Sequence, residues 1–451
     1  MQNTINVILK PLKRFALLKP NASLLLFFAM VIAMILANSP WQESYHKLLS
    51  YPIHLQAGNF NFFSHHGETM SMLAFVNDAL MAVFFFVIGL EIKQEILIGE
   101  LQSLKKALLP IIAACGGMIV PVLFYFIICP SEPESMGAAI PMATDIAFAL
   151  AVLGLLGKRI PLSFRIFLTA LAVVDDIGGI IIIALFYSGE IAYVPLLISF
   201  IFLAILYAGG LMKINNHLFY YILGFCVWFL FLESGIHPTI AGVLVAFTVP
   251  ALPVASLDHF EEDMRSYLAM LDKSQIKTGE KASVLTSQHM QILDNIHTLA
   301  DKTVSPLQSI AEKLHPIVNY LILPLFAFVN AGVTFDDINP DGLVGIPLAI
   351  VFGLVAGKSL GIFSFSYLFI KMKVVTMPKH MSKRSLFGIA MLGGIGFTVA
   401  LFIANLSFDL SAPNGTMMLN QAKLGVFCGS FISGILGYIL LKIFAPKKIE
   451  Q

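Results

Sequence analysis

Twelve mostly apolar stretches follow one another along this chain, at 21–38, 71–97, 105–129, 137–157, 162–187, 191–212, 217–234, 236–254, 315–334, 343–370, 383–407 and 419–444. Each is close to the roughly 20 residues that a helix needs to cross a bilayer. In lipid every backbone polar group must be satisfied internally, which leaves helices or a closed barrel. Runs of this length select helices. Of the 451 residues, 58% are hydrophobic and 12% charged, whereas a soluble domain carries about 25% charged residues. The expected fold class is an all-α polytopic membrane protein with twelve transmembrane helices in a single transporter-sized domain spanning 1–451. A net charge of +1 and the lack of a basic stripe argue against a nucleic-acid partner. Cys115, Cys129, Cys226 and Cys428 have no metal-ligand spacing and read as small buried hydrophobes. Basic residues precede the first apolar run, but no small-residue cleavage site follows, so that run reads as a helix rather than a signal peptide.

Charge placement tests the span count. With both termini assigned to the cytoplasm and the spans alternating, the basic residues fall overwhelmingly in cytoplasmic segments, as the positive-inside rule requires. Three of the 28 do not: Lys47 and Lys423 fall outside, and Lys358 falls within a span. That leaves Lys358 as the expected cation at mid-membrane. Two connections are longer than needed. Residues 51–66 alternate weakly around Ala57-Gly58-Asn59 and predict a short extracytoplasmic β-hairpin. Residues 255–314 form a polar cytoplasmic insertion between spans eight and nine. Met290, Leu293, Ile296 and Leu299 recur there at helical spacing, which predicts a partly helical amphipathic segment.

Carboxylates lie where charge is expensive. Asp145 sits in Ala143-Thr144-Asp145-Ile146-Ala147-Phe148-Ala149, and Asp175 and Asp176 in Ala172-Val173-Val174-Asp175-Asp176-Ile177-Gly178-Gly179. A carboxylate at the centre of a membrane helix costs about 2.5–3.5 kcal/mol on insertion scales, and the default reason for one is an ion or proton path. Two spans also carry breaks. Pro141 precedes Thr144-Asp145 in the fourth, and Gly393-Gly394-Ile395-Gly396-Phe397-Thr398 interrupts the eleventh. Proline removes a backbone donor and glycine weakens a helix. Interrupted helices at matching places in two halves point to a transporter site. Spans 3–5 and 10–12 have the spacing of such halves. They start on opposite sides of the membrane, so the repeat is expected to be inverted.

These segments resemble the bacterial NhaA-type sodium/proton antiporter family. The resemblance rests on Asn77-Asp78-Ala79-Leu80-Met81-Ala82-Val83-Phe84-Phe85, Gly89-Leu90-Glu91, the two aspartate segments above, and Ser234-Gly235-Ile236-His237-Pro238-Thr239. It extends through Leu323-Pro324-Leu325-Phe326-Ala327-Phe328-Val329-Asn330-Ala331-Gly332, Gly357-Lys358 and Gly394-Ile395-Gly396-Phe397-Thr398, covering nearly all of the chain outside the insertion. It implies crossing broken helices 4 and 11, the bacterial inner membrane, a homodimer joined partly through 51–66, and no cofactor. The cargo would be Na+ (or Li+) and H+, exchanged electrogenically and under pH regulation.

Sodium is a hard cation and takes oxygen ligands, here the carboxylates, the Thr144 hydroxyl and carbonyls freed by unwinding. Asp175 and Asp176 are neighbours on one helix and diverge by about 100°, so they cannot face one point equally. The resemblance makes Asp176 the main ion ligand, with Asp175 beside it and Thr144 nearby. A proton competes with sodium for the same acceptor, and Lys358 either carries a proton or serves as a structural counter-charge. Half-helices meeting end to end put like dipole ends together. The resemblance assigns Asp145 and Lys358 to compensate them. It also assigns Glu91 and Glu95 to a cytoplasmic funnel and pH sensing, against a plain reading as solvated helix-end charges. Asp78 reads as functional or as a member of a polar network, and His237 and His315 as interfacial residues at span termini.

The chain departs from the family pattern at Gln94, Gln308, Ser309, Ala311 and Glu312, all on the supposed pH-sensing surface. The family's pH threshold therefore does not carry over. An intramembrane aspartyl protease would need a Gly-x-Gly-Asp setting, which is absent, and a cation channel would want filter segments or rings of acidic residues, which are not visible.

Overall fold

The computed structural model describes residues 22–445 other than 55, 58–59, 62, 66–67, 190, 254, 274–284, 335–343, 409–411 and 413. The basic residues expected at 10–19, 277, 281 and 447–448 lie outside the described residues, as does part of the 51–66 stretch. Helix α1 (Ala22–Ala37) bends by 119° into α2 (Gln42–Leu49). Two antiparallel ladders follow: β1 (Gln56–Ala57) pairs with β2 (Phe60–Asn61), and β3 (Ser64–His65) with β4 (Glu68–Thr69). Then come α3 (Met72–Ile98), α4 (Leu104–Ile128), a 3-10 stretch (Glu134–Met142), α5 (Ile146–Leu155) and α6 (Leu162–Phe186). The chain continues through α7 (Tyr193–Leu211), α8 (His217–Ser234), α9 (Thr239–Thr248), α10 (Leu257–Lys273), α11 (Ser287–Thr303), α12 (Pro306–Ile317) and α13 (Leu323–Asn330). It ends with α14 (Ile346–Lys371), α15 (Lys383–Gly393), α16 (Phe397–Ser407) and α17 (Gly415–Phe444). Among the described residues, 7 helices are long and apolar enough to cross a membrane, or up to 10 if each bent pair is one span.

Breaks appear where proline and glycine predict them. The Glu134–Met142 stretch and α5 are bent by 46°, and α15 and α16 by 45°, each pair about a short non-helical link. Other features left no mark in the hydropathy. Three π-helical turns interrupt the bundle: Phe75–Leu80 within α3, Val318–Ile322 between α12 and α13, and Gly353–Lys358 within α14. Such turns concentrate at functional sites, and two of these carry Asp78 and Lys358. The ninth span starts at Pro306 rather than 315, because Ser305 caps α12 by accepting the Gln308 N–H. The eighth is only the 10-residue α9. Lys93 compensates its open end, donating from Nζ to the carbonyls of Phe247 at 2.6 Å and Val249 at 2.5 Å.

Lys423 is a correction. Assigned to the outer side although it stands within the apolar run at 419–444, it lies in the third turn of α17 and is buried in the bundle. Lys358 is therefore not the sole buried cation.

The helices form two bundles, each with its own core. Leu109, Leu153, Phe167, Ile362, Ile389 and Leu441 pack α4, α5, α6, α14, α15 and α17 together. Phe86, Leu206, Trp228, Val245 and Ile310 do the same for α3, α7, α8, α9 and α12. A larger apolar layer joins the two and includes Phe85, Ile140, Val173, Phe326, Leu354 and Phe402.

Candidate functional site

The non-helical links of the two broken helices cross at the centre of the first bundle. Asp145 N–H donates to the Ile395 carbonyl at 2.6 Å, tying one link to the other. Helical hydrogen bonding stops on both chains here, so four helix ends converge in an apolar interior.

Two of these ends are N-termini, with unpaired N–H groups and partial positive charge. Asp145 caps both. One carboxylate oxygen accepts the Phe148 N–H at 3.0 Å, at the start of α5. The other accepts the Thr398 N–H at 3.0 Å and the Thr398 hydroxyl at 2.6 Å, at the start of α16. Ser430 Oγ, from α17, accepts the N–H groups of Gly396 and Phe397 at 3.2 and 3.1 Å. The other two ends are C-termini, with surplus carbonyls. Lys358 Nζ donates to the Met142 carbonyl, and the Gly393 carbonyl lies 3.0 Å from Thr144 Oγ1, where it competes with Asp175 for the single hydroxyl proton.

Asp175 connects this crossing to α6. Its Oδ2 accepts from Lys358 Nζ at 2.6 Å and from the Thr144 hydroxyl at 2.6 Å. Both charged side chains are 1% exposed. Asp175 Oδ1 is buried without a hydrogen-bond partner among the described residues. Asp176 points elsewhere, as the helical spacing requires. It is buried, makes no hydrogen bond among the described residues, and lies within electrostatic reach of Asp175, Glu91, Lys358 and Asp145. Three carboxylate oxygens on adjacent residues thus lack a protein donor, an arrangement suited to a proton or a hard cation.

Thr144, Asp145, Asp175, Asp176 and Lys358 therefore come together, and Glu91 lies within electrostatic reach of Asp176. The remaining candidates are placed otherwise. Glu95 turns to its own helix end, accepting the Glu100 N–H at 3.0 Å. Asp78 is in the second bundle. Its Oδ1 is 3.8 Å from His237 Nε2, and its carbonyl accepts from Trp228 Nε1 at 3.0 Å. His237 lies in the link between α8 and α9, where its ring is buried and shares a 2.7 Å hydrogen bond with the Thr239 hydroxyl. His315 lies 3.4 Å from Glu91, with both side chains more than a third exposed.

The family model described as Na+/H+ antiporter 1 matches residues 13–441. The chain belongs to the Na+/H+ antiporter 1 family. A protein named Na(+)/H(+) antiporter NhaA from Parabacteroides distasonis is 73% identical over 451 residues, 100% of both chains. Proteins of the same name are 49% identical over 442 residues in Porphyromonas gingivalis (98% of this chain, 97% of the relative) and 50% over 441 in Bacteroides thetaiotaomicron (97% and 98%). The NhaA-type resemblance is thereby established, and with it a multi-pass protein of the bacterial inner membrane.

In this Na+/H+ antiporter 1 member, the hydropathy pattern missed Thr398 and Ser430. A helix beginning at a break needs an N-cap acceptor or a compensating charge; Ser430 supplies the acceptor, and Thr398 supplies donors to the charge of Asp145. Thr398 stands two residues after Gly396 and could have been noticed on that ground. Ser430 could not, since it reaches the break from a different helix.

Proposed function

We propose that this protein exchanges cytoplasmic Na+ (or Li+) for external protons, by alternating access, at one site built on Asp176 and Asp175. The observation that carries this reading is the set of unsatisfied carboxylate oxygens on Asp175 and Asp176, beside a Lys358–Asp175 pair buried at a helix crossing. Sodium would bind Asp176 and Asp175, with the Thr144 hydroxyl swinging from Asp175 to the ion. Proton and sodium exclude one another because both need the same oxygens. When sodium occupies Asp175, Lys358 loses its anionic partner and is free to give up a proton. Asp145 stays charged throughout and holds the two half-helix N-termini.

Twelve spans in two inverted repeats, 3–5 and 10–12, suit this scheme, since the paired 46° and 45° breaks bring like helix ends together. Both termini would be cytoplasmic, and the ladders of 51–66 extracytoplasmic and in contact with the partner in a homodimer. Glu91 with His315, half-exposed at the far end of α3, would form the funnel mouth and take part in pH regulation. Glu95 would contribute charge there, and Asp78 would act through His237.

Two groups protonated per sodium bound makes the exchange electrogenic. Each net charge moved gains about 2.3 kcal/mol per 100 mV. Two assays test the reading. Sodium added to everted vesicles should dissipate a proton gradient followed by a pH dye. In proteoliposomes, a valinomycin–potassium potential at fixed pH should change the sodium flux with its sign. No proton movement would sink antiport, and a flux indifferent to potential would sink the two-proton cycle.

A further inference from the structure

Three asparagines from three helices meet at the ladder end of the molecule, apart from the Asp145, Asp175 and Asp176 site and next to Asp78, which follows Asn77 in the same π turn. Asn330 closes α13, Asn77 lies in the π turn of α3, and Asn405 lies in the last turns of α16. Asn330 is fully buried in the apolar layer between the bundles. Its Nδ2 donates to Asn77 Oδ1 at 2.8 Å and to the Phe326 carbonyl at 2.9 Å. Its Oδ1 accepts from Asn77 at 3.3 Å and from Asn405 Nδ2 at 2.8 Å. Asn405 Nδ2 also donates to the Leu401 carbonyl at 2.8 Å. An amide has two donors and one two-lone-pair acceptor, so Asn330 is saturated.

The Asn405–Asn330 bond ties α16 to α13 within the apolar layer that joins the bundles: the two helices touch directly, while α16 packs mainly on α17 and the Glu134–Met142 stretch and α13 mainly on α1. A second amide crosses at the same end: Asn420 Nδ2, from α17, donates to the Thr334 hydroxyl at 3.1 Å. Below them the Phe402 ring packs against Phe85, His237 and Phe326, with centroids 5.5, 5.4 and 6.3 Å apart. At the opposite end of α3, Glu91 and His315 are more than a third exposed. One end is thus bonded around the fully buried Asn330, with Asn77 and Asn405 half-buried, while the carboxylate–imidazole pair at the other end is more exposed.

We propose that Asn330 and Asn405 are positioning residues of the exchange cycle: their amide bridge holds the ladder end shut while the carboxylate site faces the opposite end, and it breaks in every turnover. The inference rests on the antiport reading above. Pulling α16 away from α13 strips a saturated amide of a partner, and a buried unpaired amide is costly. Water entering at that end restores the bond. The end is therefore stable either closed and dry or open and wet, and half-opening is penalised. That all-or-none behaviour is what exchange without leak needs.

The test begins from a cysteine-free variant, since Cys115, Cys129, Cys226 and Cys428 are free thiols. Asn330→Cys/Asn405→Cys, bridged by mercuric ion, should lose exchange, and dithiothreitol should restore it. The two single-cysteine variants should not respond to either reagent. A bridged protein that exchanges at its reduced rate overturns the proposal. A second arm covers poor folding of the double variant. In oriented vesicles Asn405→Leu should weaken apparent sodium affinity from the end away from the ladders and tighten it from the ladder end, the two changes multiplying to roughly three- to fifteenfold, the worth of one hydrogen bond between membrane helices. Loss of maximal rate alone, with both affinities unchanged, would mean a purely structural role and overturn it too. Absence of exchange in the unmodified protein would count against the antiport reading instead.

Discussion

Lys358 and Asp175 are each other's counter-charge in a site with almost no solvent. Removing one member of such a pair costs roughly 3–5 kcal/mol, because the other is left charged and unpaired, whereas replacing both by apolar groups of similar volume is often neutral. Lys358→Met and Asp175→Leu should therefore each lower the melting temperature in detergent, and the double variant should melt above either single one. A double variant less stable than both singles would show that the pair is not a unit. Transport should be lost in all three. Much of this site was legible in the sequence, because charge is rare in the apolar runs and each case demands a reason. The divergence of Asp175 from Asp176 followed from helical spacing, and Asp175 does turn to Lys358 and Thr144 while Asp176 does not. Neutral polar residues were not legible. Asn330 and Asn405 look like any asparagine near a helix end, and their partners are 253 and 75 residues away. Lys423 was misplaced because it was counted with the outer segment although it stands inside the apolar run at 419–444, where the helix buries it.

Among the elements, the broken helices matter most, and their ends are held by single side chains. Ser430 alone accepts two N–H groups at the start of α16. Losing an N-cap acceptor costs about 1 kcal/mol. Ser430→Ala should lower stability by that order in a thermal melt, and Ser430→Thr should retain most of it. An unchanged melting temperature in Ser430→Ala would mean that Asp145 caps α16 by itself. Asp145→Asn should be worse, since an amide offers one acceptor oxygen where the carboxylate uses two, on two different helices. The positions of the breaks were readable from Pro141 and from Gly393, Gly394 and Gly396, residues that weaken a helix whatever surrounds them. The π turns were not, because a shift in hydrogen-bond register needs no particular residue. The shortness of α9 could have been read from Pro238 and Pro250, which bracket it, but the Lys93 that compensates its end comes from a different helix and could not.

For the whole molecule, neither α10 nor α11 contributes a side chain to the described cores of the two bundles, whereas α12 does. Helices α10 and α11 pack on one another, and the Ala255 N–H donates to the Lys302 carbonyl at 3.0 Å, so the insertion leaves and re-enters at neighbouring points. A chain lacking residues 260–303 should insert and reach the same peak exchange rate. A shortened protein that folds but transports at no pH would refute this. The helical spacing of Met290 to Leu299 was a sound guide to α11, whereas the way the two ends of the insertion meet had no sequence signature. The central claim is that sodium and proton compete for the oxygens of Asp176 and Asp175. It is tested most directly by adding sodium to purified protein at fixed pH and counting the protons released, by calorimetry in two buffers of different ionisation enthalpy. The unmodified protein should release protons as sodium binds, and Asp176→Asn, folded to the same melting temperature, should neither bind sodium nor release protons. Undiminished sodium-coupled release from Asp176→Asn would contradict the account.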